Sequence, residues 1–219
     1  IATNVGGAEN VVLAAISAGV SRVIALSTDK AVNPINLYGA SKLAAEKIFI
    51  AANNLSAGRC RFSVVRYGNV AGSRGSVLPL FKALVAKGEK TLPITDMRMT
   101  RFWITMQQAI ALVDTCHAQM KGREIFVPTI PSIHITALIE ALDCDPMVVG
   151  IRPGEKLHEI LTTDDESRNT VCHLDHRIIH PPDFYPEGHF RQDGYQYTSD
   201  TNRAFLSVEQ LREMIHEEP

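Results

Sequence analysis

The chain has 219 residues, of which 45% are hydrophobic and 21% charged, with a formal net charge of −2. This is an ordinary globular composition. So near-neutral a balance gives no reason to expect nucleic acid or an anionic membrane as a partner, and any phosphate must be recognised by individual arginines. The four cysteines at 60, 116, 144 and 172 lie far apart without CxxC spacing, and are expected to be inert thiols in a reducing cytoplasm.

The longest apolar run, residues 11–20, is broken by Ser17 and Gly19 and is too short to span a bilayer. No basic segment precedes it, as a signal peptide would require. The chain opens on Ile1 instead of an initiator Met and enters a helical pattern at once, so it is expected to be a piece of a longer protein. Val11, Val12, Ala15 and Ile16 recur at helical spacing, and Gly19 is a stop signal. Residues 22–27 read as a short strand buried on both faces, suited to a parallel sheet. Pro34 disfavours helix just before it, and residues 36–54 carry a strong helical pattern. Residues 62–67 form the next strand. The order helix, strand, helix, strand implies an α/β fold.

After Gly75 the spacing predicts helices near 77–87, 105–120 and 135–143, and short strands at 124–127 and 147–151. Gly154 to Thr162 reads as a turn entering a helix. Residues 163–202 are polar and read as irregular, with one strand near 171–180, and a helix near 207–216 closes the pattern. The expected architecture is therefore part of a Rossmann-like doubly wound parallel sheet in residues 1–75. A smaller α+β cap follows in 76–219, with the last sheet elements interleaved in it.

The chemistry concentrates in residues 26–42. Tyr38 and Lys42 are four apart, on one helical face. A phenol titrates near ~10 and is a poor base at neutral pH, but a neighbouring cation favours its ionised form. The pair is thus a workable proton acceptor for oxidising an alcohol beside a hydride acceptor. A hydroxyl of Ser27 or Thr28, at the end of the preceding strand, would orient the substrate, since open α/β sheets place their chemistry at strand C-termini. Asp29 and Lys30 follow at once; the plain alternative for these two is a solvated pair of charges on a loop.

A strand ending in Ser27-Thr28, then a helix carrying Tyr38-x-x-x-Lys42, resembles the extended short-chain dehydrogenase/reductases that act on nucleotide sugars. Thr3-Asn4-Val5-Gly6, Arg66-Tyr67-Gly68-Asn69-Val70, Arg101-Phe102-Trp103-Ile104 and Arg152-Pro153-Gly154-Glu155 resemble further motifs of that family, in family order over nearly the whole chain. Thr28-Asp29-Lys30, with Tyr38 where some relatives carry Met, looks closest to the inverting 4,6-dehydratases acting on UDP-N-acetylglucosamine in pseudaminic acid biosynthesis. The resemblance implies Tyr38 as the base for oxidation at C4, with Lys42 as its partner. It implies Lys30 for the C5 proton and Asp29 as the acid for the departing C6 hydroxyl, with Thr28 beside them. Tyr38, Lys42 and Tyr67 would touch the cofactor, NADP with NAD as the alternative carrier. Asn69, Arg101, Arg152 and Glu155 would hold the UDP-sugar, the arginines gripping its diphosphate. The cap is thereby implied to bind UDP-sugar.

Arg74 and Arg98 are expected to be structural, and His158, placed within the helix entered at Gly154, to pack or face solvent. A strand through Cys172, His173, Asp175 and His176 would offer at most two ligands per face, so no metal is expected. No G-x-G-x-x-G turn occurs to receive a dinucleotide pyrophosphate, so this piece alone is expected to bind NADP poorly and turn over little. A UDP-hexose 4-epimerase and an inactive nucleotide-sugar-binding fragment are the alternative readings. A cytoplasmic homo-oligomer is the remaining expectation.

Overall fold

The computed structural model describes residues 1–184 and 194–217. A π-helical turn (Ala2–Gly6) leads into α1 (Gly7–Ser17), then β1 (Arg22–Thr28), a 3-10 turn (Asp29–Ala31), α2 (Leu37–Ser56) and β2 (Arg61–Tyr67). There follow β3 (Asn69–Val70), α3 (Val77–Ala86), β4 (Thr91–Ile94), β5 (Thr100–Ile104), α4 (Met106–Gln119), β6 (Ile125–Pro128), β7 (Ser132–His134), α5 (Ile135–Ala141) and β8 (Asp145–Val148). The described elements close with β9 (Ile160–Thr162), α6 (Asp164–Ser167), β10 (Thr170–Cys172), β11 (His176–Ile179), β12 (Tyr197–Thr198) and α7 (Val208–Glu217).

The chain divides into two compact units, each assembled from three separate stretches. Unit 1 takes residues 1–67, 110–129 and 160–197. Its five-stranded sheet runs β1-β2-β6-β11-β10. β1, β2 and β6 are parallel, and β11 and β10 continue antiparallel. The α/β expectation for the first part of the chain therefore holds, with an antiparallel hairpin completing the sheet. Val12, Ala15, Ala52, Cys60 and Phe62 form one core cluster. Val65, Cys116, Met120, Phe126 and Ile178 form another. The alternation of side chains along a strand is what lets β2, buried over Phe62–Arg66, contribute to both clusters.

Unit 2 takes residues 68–109, 130–159 and 198–217 of the described chain. β3, β5 and β7 form one small sheet, and β4 pairs in parallel with β8. Leu78 and Phe81 of α3, Trp103 of β5, Leu138 and Ile139 of α5 and Leu211 of α7 share its core.

Several expectations need correction. The turn read at Gly154 is present, but it leads into β9 and not into a helix. Gly154 has φ +79°, and the amide of Glu155 donates to the carbonyl of Arg152 at 3.1 Å. A Pro-Gly pair at the centre of such a turn stops the chain winding on. The helix nearby is α6, which starts later, at a capping box in which Thr163 and Glu166 exchange bonds. The single strand read near 171–180 is the hairpin β10–β11, turning where the amide of His173 donates to the carbonyl of His176. The strand read at 147–151 is β8, shifted to 145–148. Strands β3, β4, β5, β7 and β12 went unread because each has five residues or fewer, too few to show a period. Residues 185–193, within the polar segment, lie outside the described residues.

One contact fixes the entry of α2. Asn36 caps it, its side-chain oxygen accepting from the amide of Gly39 at 2.8 Å. A Cβ on Gly39 would strike the carbonyl oxygen of Lys30 and lie 3.0 Å from Cβ of Pro34. Gly39 is thus what lets the helix start press against the turn carrying Asp29 and Lys30. Gly39→Ala should therefore destabilise the fold by about 1–3 kcal/mol, despite alanine's better helix propensity. Urea unfolding measures this, and an unshifted midpoint would show that the 29–31 turn yields freely.

Candidate active site

β1 ends at Thr28, and the 3-10 turn after it carries Asp29 and Lys30. Thr28 Oγ1 donates to Asp29 Oδ1 at 2.8 Å, and Lys30 Nζ donates to the same oxygen at 3.0 Å. Asp29 is wholly buried, while the Lys30 side chain is 38% exposed. Among the described residues the other carboxyl oxygen, Asp29 Oδ2, has no hydrogen-bond partner. A buried carboxyl oxygen left unmet is costly unless something else fills the place.

Lys42 lies one turn after Tyr38 on α2. Its Nζ donates to the carbonyl oxygen of Leu26, near the end of β1, at 2.8 Å. Burial pushes the Lys42 ammonium below its ordinary range, and Glu46, one turn further along α2, opposes that shift. Tyr38 is 54% exposed. Tyr67 ends β2 in register with Thr28, and burial pushes its phenol up. Unit 1 therefore brings Thr28, Asp29, Lys30, Lys42 and Tyr67 to the C-terminal ends of two neighbouring parallel strands, with Tyr38 in the first turn of the helix that follows. A groove of about 190 Å³ beside them is lined by Thr3, Asn4, Ser27, Lys42 and Glu46 among others.

The strand hydroxyls divide. Successive residues of a strand point to opposite faces, and Ser27 turns inward to donate to Glu46 Oε2 at 2.8 Å. Of the two hydroxyls offered as alternatives, Thr28 is the one left at the Asp29–Lys30 turn.

Beneath lies a constellation that the sequence alone did not disclose. Arg66 is 1% exposed, and each of its five N–H groups is used. Nε and Nη2 reach the two oxygens of Glu46 at 3.2 and 2.6 Å. Nη1 and Nη2 reach those of Glu166 at 3.0 and 2.9 Å, and Nη1 also reaches the carbonyl of Leu161 at 2.9 Å. Burial would lower the Arg66 pKa, but the two carboxylates outweigh it and hold the guanidinium charged. Asn4 in the π-helical turn donates to Ser41 Oγ at 2.9 Å, and Ser41 donates to the carbonyl of Tyr38 at 2.8 Å. The available signal was the Glu46 spacing four past Lys42, and it names no partner distant in sequence.

In unit 2, Asn69 opens β3, and its buried Oδ1 has no partner among the described residues. Arg101 lies on β5 with its donors turned to the protein itself: the carbonyls of Thr100 (2.7 Å), Leu157 (2.9 Å) and Lys156 (3.0 Å). Glu155 stands 3.7 Å away. Arg101 thus braces the loop that contains Glu155, while Arg152 at the turn is exposed. Arg98 pairs with Asp96 at 2.8 Å on the surface. His158, read as helical, is in this loop, its Nδ1 2.9 Å from Thr100 Oγ1. In unit 1, His173 and His176 stack across the hairpin turn and His176 Nδ1 meets Asp175 at 2.7 Å. The two-faced strand argument for these residues does not apply. Among the described residues no group of three or more His, Cys, Asp or Glu is placed to hold a metal ion.

A parallel sheet with covering helices, and a Tyr-x-x-x-Lys helix beginning beside its strand ends, define a dinucleotide-binding type of α/β fold. A family model described as "Polysaccharide biosynthesis protein" matches residues 1–181, and the chain belongs to that family. It is 47% identical over 99% of its length to a UDP-N-acetylglucosamine 4,6-dehydratase (inverting) of Campylobacter jejuni, covering 70% of that protein. It is 36% identical over 98% of its length to a UDP-glucose 4-epimerase of Rickettsia felis, covering 67% of it. The solved structure of Pen from Bacillus thuringiensis superposes with a TM-score of 0.88 at 36% identity, over 98% of this chain and 68% of that one.

The Glu166 carboxyl supplies a pH test. Burial would raise its pKa, but the Arg66 charge and hydrogen bonds hold it below the ordinary 4.5. A depressed carboxylate stabilises the fold fully above its unfolded value and loses that contribution as pH falls through the folded one. Stability should thus decline as pH drops below about 4.5, and Glu166→Gln should flatten that decline in urea melts run across the acid range. Parallel acid limbs in the two proteins would remove Glu166 from the account.

Proposed function

We propose that the protein is an inverting 4,6-dehydratase of UDP-N-acetylglucosamine, working with a nicotinamide dinucleotide, NADP in preference to NAD. The observation that carries the reading is the Thr28-Asp29-Lys30 cluster, held at the end of β1 with one carboxyl oxygen of Asp29 unmet. An epimerase needs only Tyr38 and Lys42. Eliminating water also needs a base for the C5 proton and an acid for the C6 hydroxyl.

The residues present fit the nicotinamide end of the cofactor. The Lys42 ammonium stands at the end of β1, where such sheets receive it, and the neighbouring groove is open. The bound nicotinamide supplies reversible hydride acceptance. Tyr38 takes the C4 hydroxyl proton as the carbon is oxidised, helped by the Lys42 charge. The resulting C4 ketone acidifies the C5 proton. Lys30, acting as the amine, removes it, and Asp29 protonates the C6 hydroxyl as it leaves. Oδ2 is the oxygen for that proton, since Oδ1 already accepts from Thr28 and Lys30. The hydride removed from C4 then returns to C6, and reprotonation at C5 from the opposite face gives the inverted centre, with no net change in the oxidation state of the dinucleotide.

Within unit 2, Asn69 and Glu155 are assigned to the nucleotide sugar and Arg152 to the diphosphate. Arg101 acts there by holding the 155–157 backbone. The proposal includes a place in polysaccharide or sialic-acid-like sugar synthesis, of the pseudaminic type, in the cytoplasm, with homo-oligomeric assembly. The chain without a glycine-rich pyrophosphate turn is expected to turn over slowly by itself.

The test is incubation of the chain, extended to include a glycine-rich pyrophosphate turn, with UDP-N-acetylglucosamine and NADP in heavy water, read by mass spectrometry and proton NMR. Loss of one water, with deuterium and inverted configuration at C5, is expected. Asp29→Asn and Lys30→Met should each lower elimination by about 10²–10⁴-fold while C4 oxidation survives. A product of unchanged mass and altered C4 configuration would make the protein an epimerase instead.

A further inference from the structure

Beyond the residues that meet substrate, Glu46 has a placement that the dehydration chemistry leaves unexplained. It is one helical turn past Lys42 on α2 and 2% exposed. Its carboxylate accepts from Ser27 Oγ at 2.8 Å and from Arg66 at 2.6 and 3.2 Å. Arg66 is shared with Glu166. One guanidinium between two carboxylates gives the cluster a formal charge of −1, with the Glu46 side chain wholly buried and that of Glu166 20% exposed. A lone pair of Arg66 and Glu166 would be neutral, so the excess charge exists because Glu46 is there.

We infer that Glu46 is a positioning residue for the Tyr38–Lys42 pair, its buried carboxylate set one helical turn from Lys42 on the same groove and tying β1, through Ser27, to α2. This rests on the assignment of Lys42 to the oxidation step. The geometry has two parts. Lys42 and Glu46 lie on one face of α2 at the favourable i, i+4 spacing. Among the described residues lining the groove they occupy, they are the two that carry charge; the polar remainder, Thr3, Asn4 and Ser27, is neutral. On β1 the ammonium meets the Leu26 carbonyl, and on α2 its other titratable neighbour is Tyr38. Burial works against the ammonium, and Glu46 is the group that counters it. If Lys42 lost its proton, Tyr38 would lose the charge that makes its phenol a usable base. Ser27 supplies the second part: its bond to Glu46 links the strand end just before Thr28 to the helix just after Lys42, so the two sides of the oxidation site move as one.

The measurement is the titration of Lys42 itself. Competitive acetylation over a pH series, read by peptide mass spectrometry, gives its midpoint in the wild type and in Glu46→Gln, which keeps the shape and still accepts from Arg66. The expected result is a midpoint lower by about half a pH unit or more in the variant, with the high-pH limb of C4 oxidation moving down in step. A purely structural Glu46 would change the melting temperature and leave the midpoint in place, and that result overturns the inference. Should Glu46→Gln fail to fold, Glu46→Asp, which draws the carboxylate back by one methylene, takes its place, and an unmoved Lys42 midpoint there overturns it equally. Absence of dehydration by the wild type would defeat the functional reading alone, because the Lys42 titration is read without substrate.

Discussion

A guanidinium cannot be buried unless its donors are met, and Arg66 meets all five. Much of unit 1 is arranged around that requirement. Glu46 comes from α2, and the Leu161 carbonyl and Glu166 come from the adjoining β9 and α6, so two stretches distant in sequence are drawn to the C-terminal end of β2. Removing one partner of such a cluster is far more damaging than replacing the whole by apolar groups. The constraint therefore favours a fixed relation between α2 and β2, and the turn bearing Asp29 and Lys30 leads into α2 from β1, the strand paired with β2. A reaction that needs an acid, a base and a phenol at set distances gains from a support of this stiffness.

The fold was legible where elements are long and periodic. The patterns for α1, α2, β1, β2, α4 and α7 lie within a few residues of the observed spans. What failed failed for local reasons. Pro153-Gly154 was read as a turn entering a helix although the turn leads into β9, and the real start signal, Thr163 with Glu166 three residues on, went unread. The hairpin at 170–179 was merged into one strand because its turn consists of His, Leu and Asp, with no glycine to mark it. β8 is exposed throughout and shows no alternation to read.

The site divides in the same way. Thr28, Asp29, Lys30, Tyr38 and Lys42 lie within fifteen residues of one another, so their spacing alone places them on one strand end and one helix. The supports do not. Arg66 and Glu166 are a hundred residues apart, and no property of either predicts the other. Between Ser27 and Thr28 the sequence left the choice open, because a hydroxyl at a strand end is equally available to either face; the buried carboxylate of Glu46 on the helix side engages Ser27. The planar fork of Arg101 suits backbone carbonyls as well as phosphate, and three carbonyls surround it.

The alternation of the chain between its two units has a consequence for how the polypeptide is made. β6, the third strand of the unit 1 sheet, joins β2 only after the whole of residues 68–124 has been synthesised. At typical elongation rates this leaves the apolar flank of β2 uncovered on the order of seconds. Non-local parallel pairing is slow as well. The nascent protein must wait, half a sheet assembled, with Val64 and Val65 facing whatever else the ribosome's surroundings offer, and its yield in a cell is governed by that interval as much as by the stability of the finished molecule.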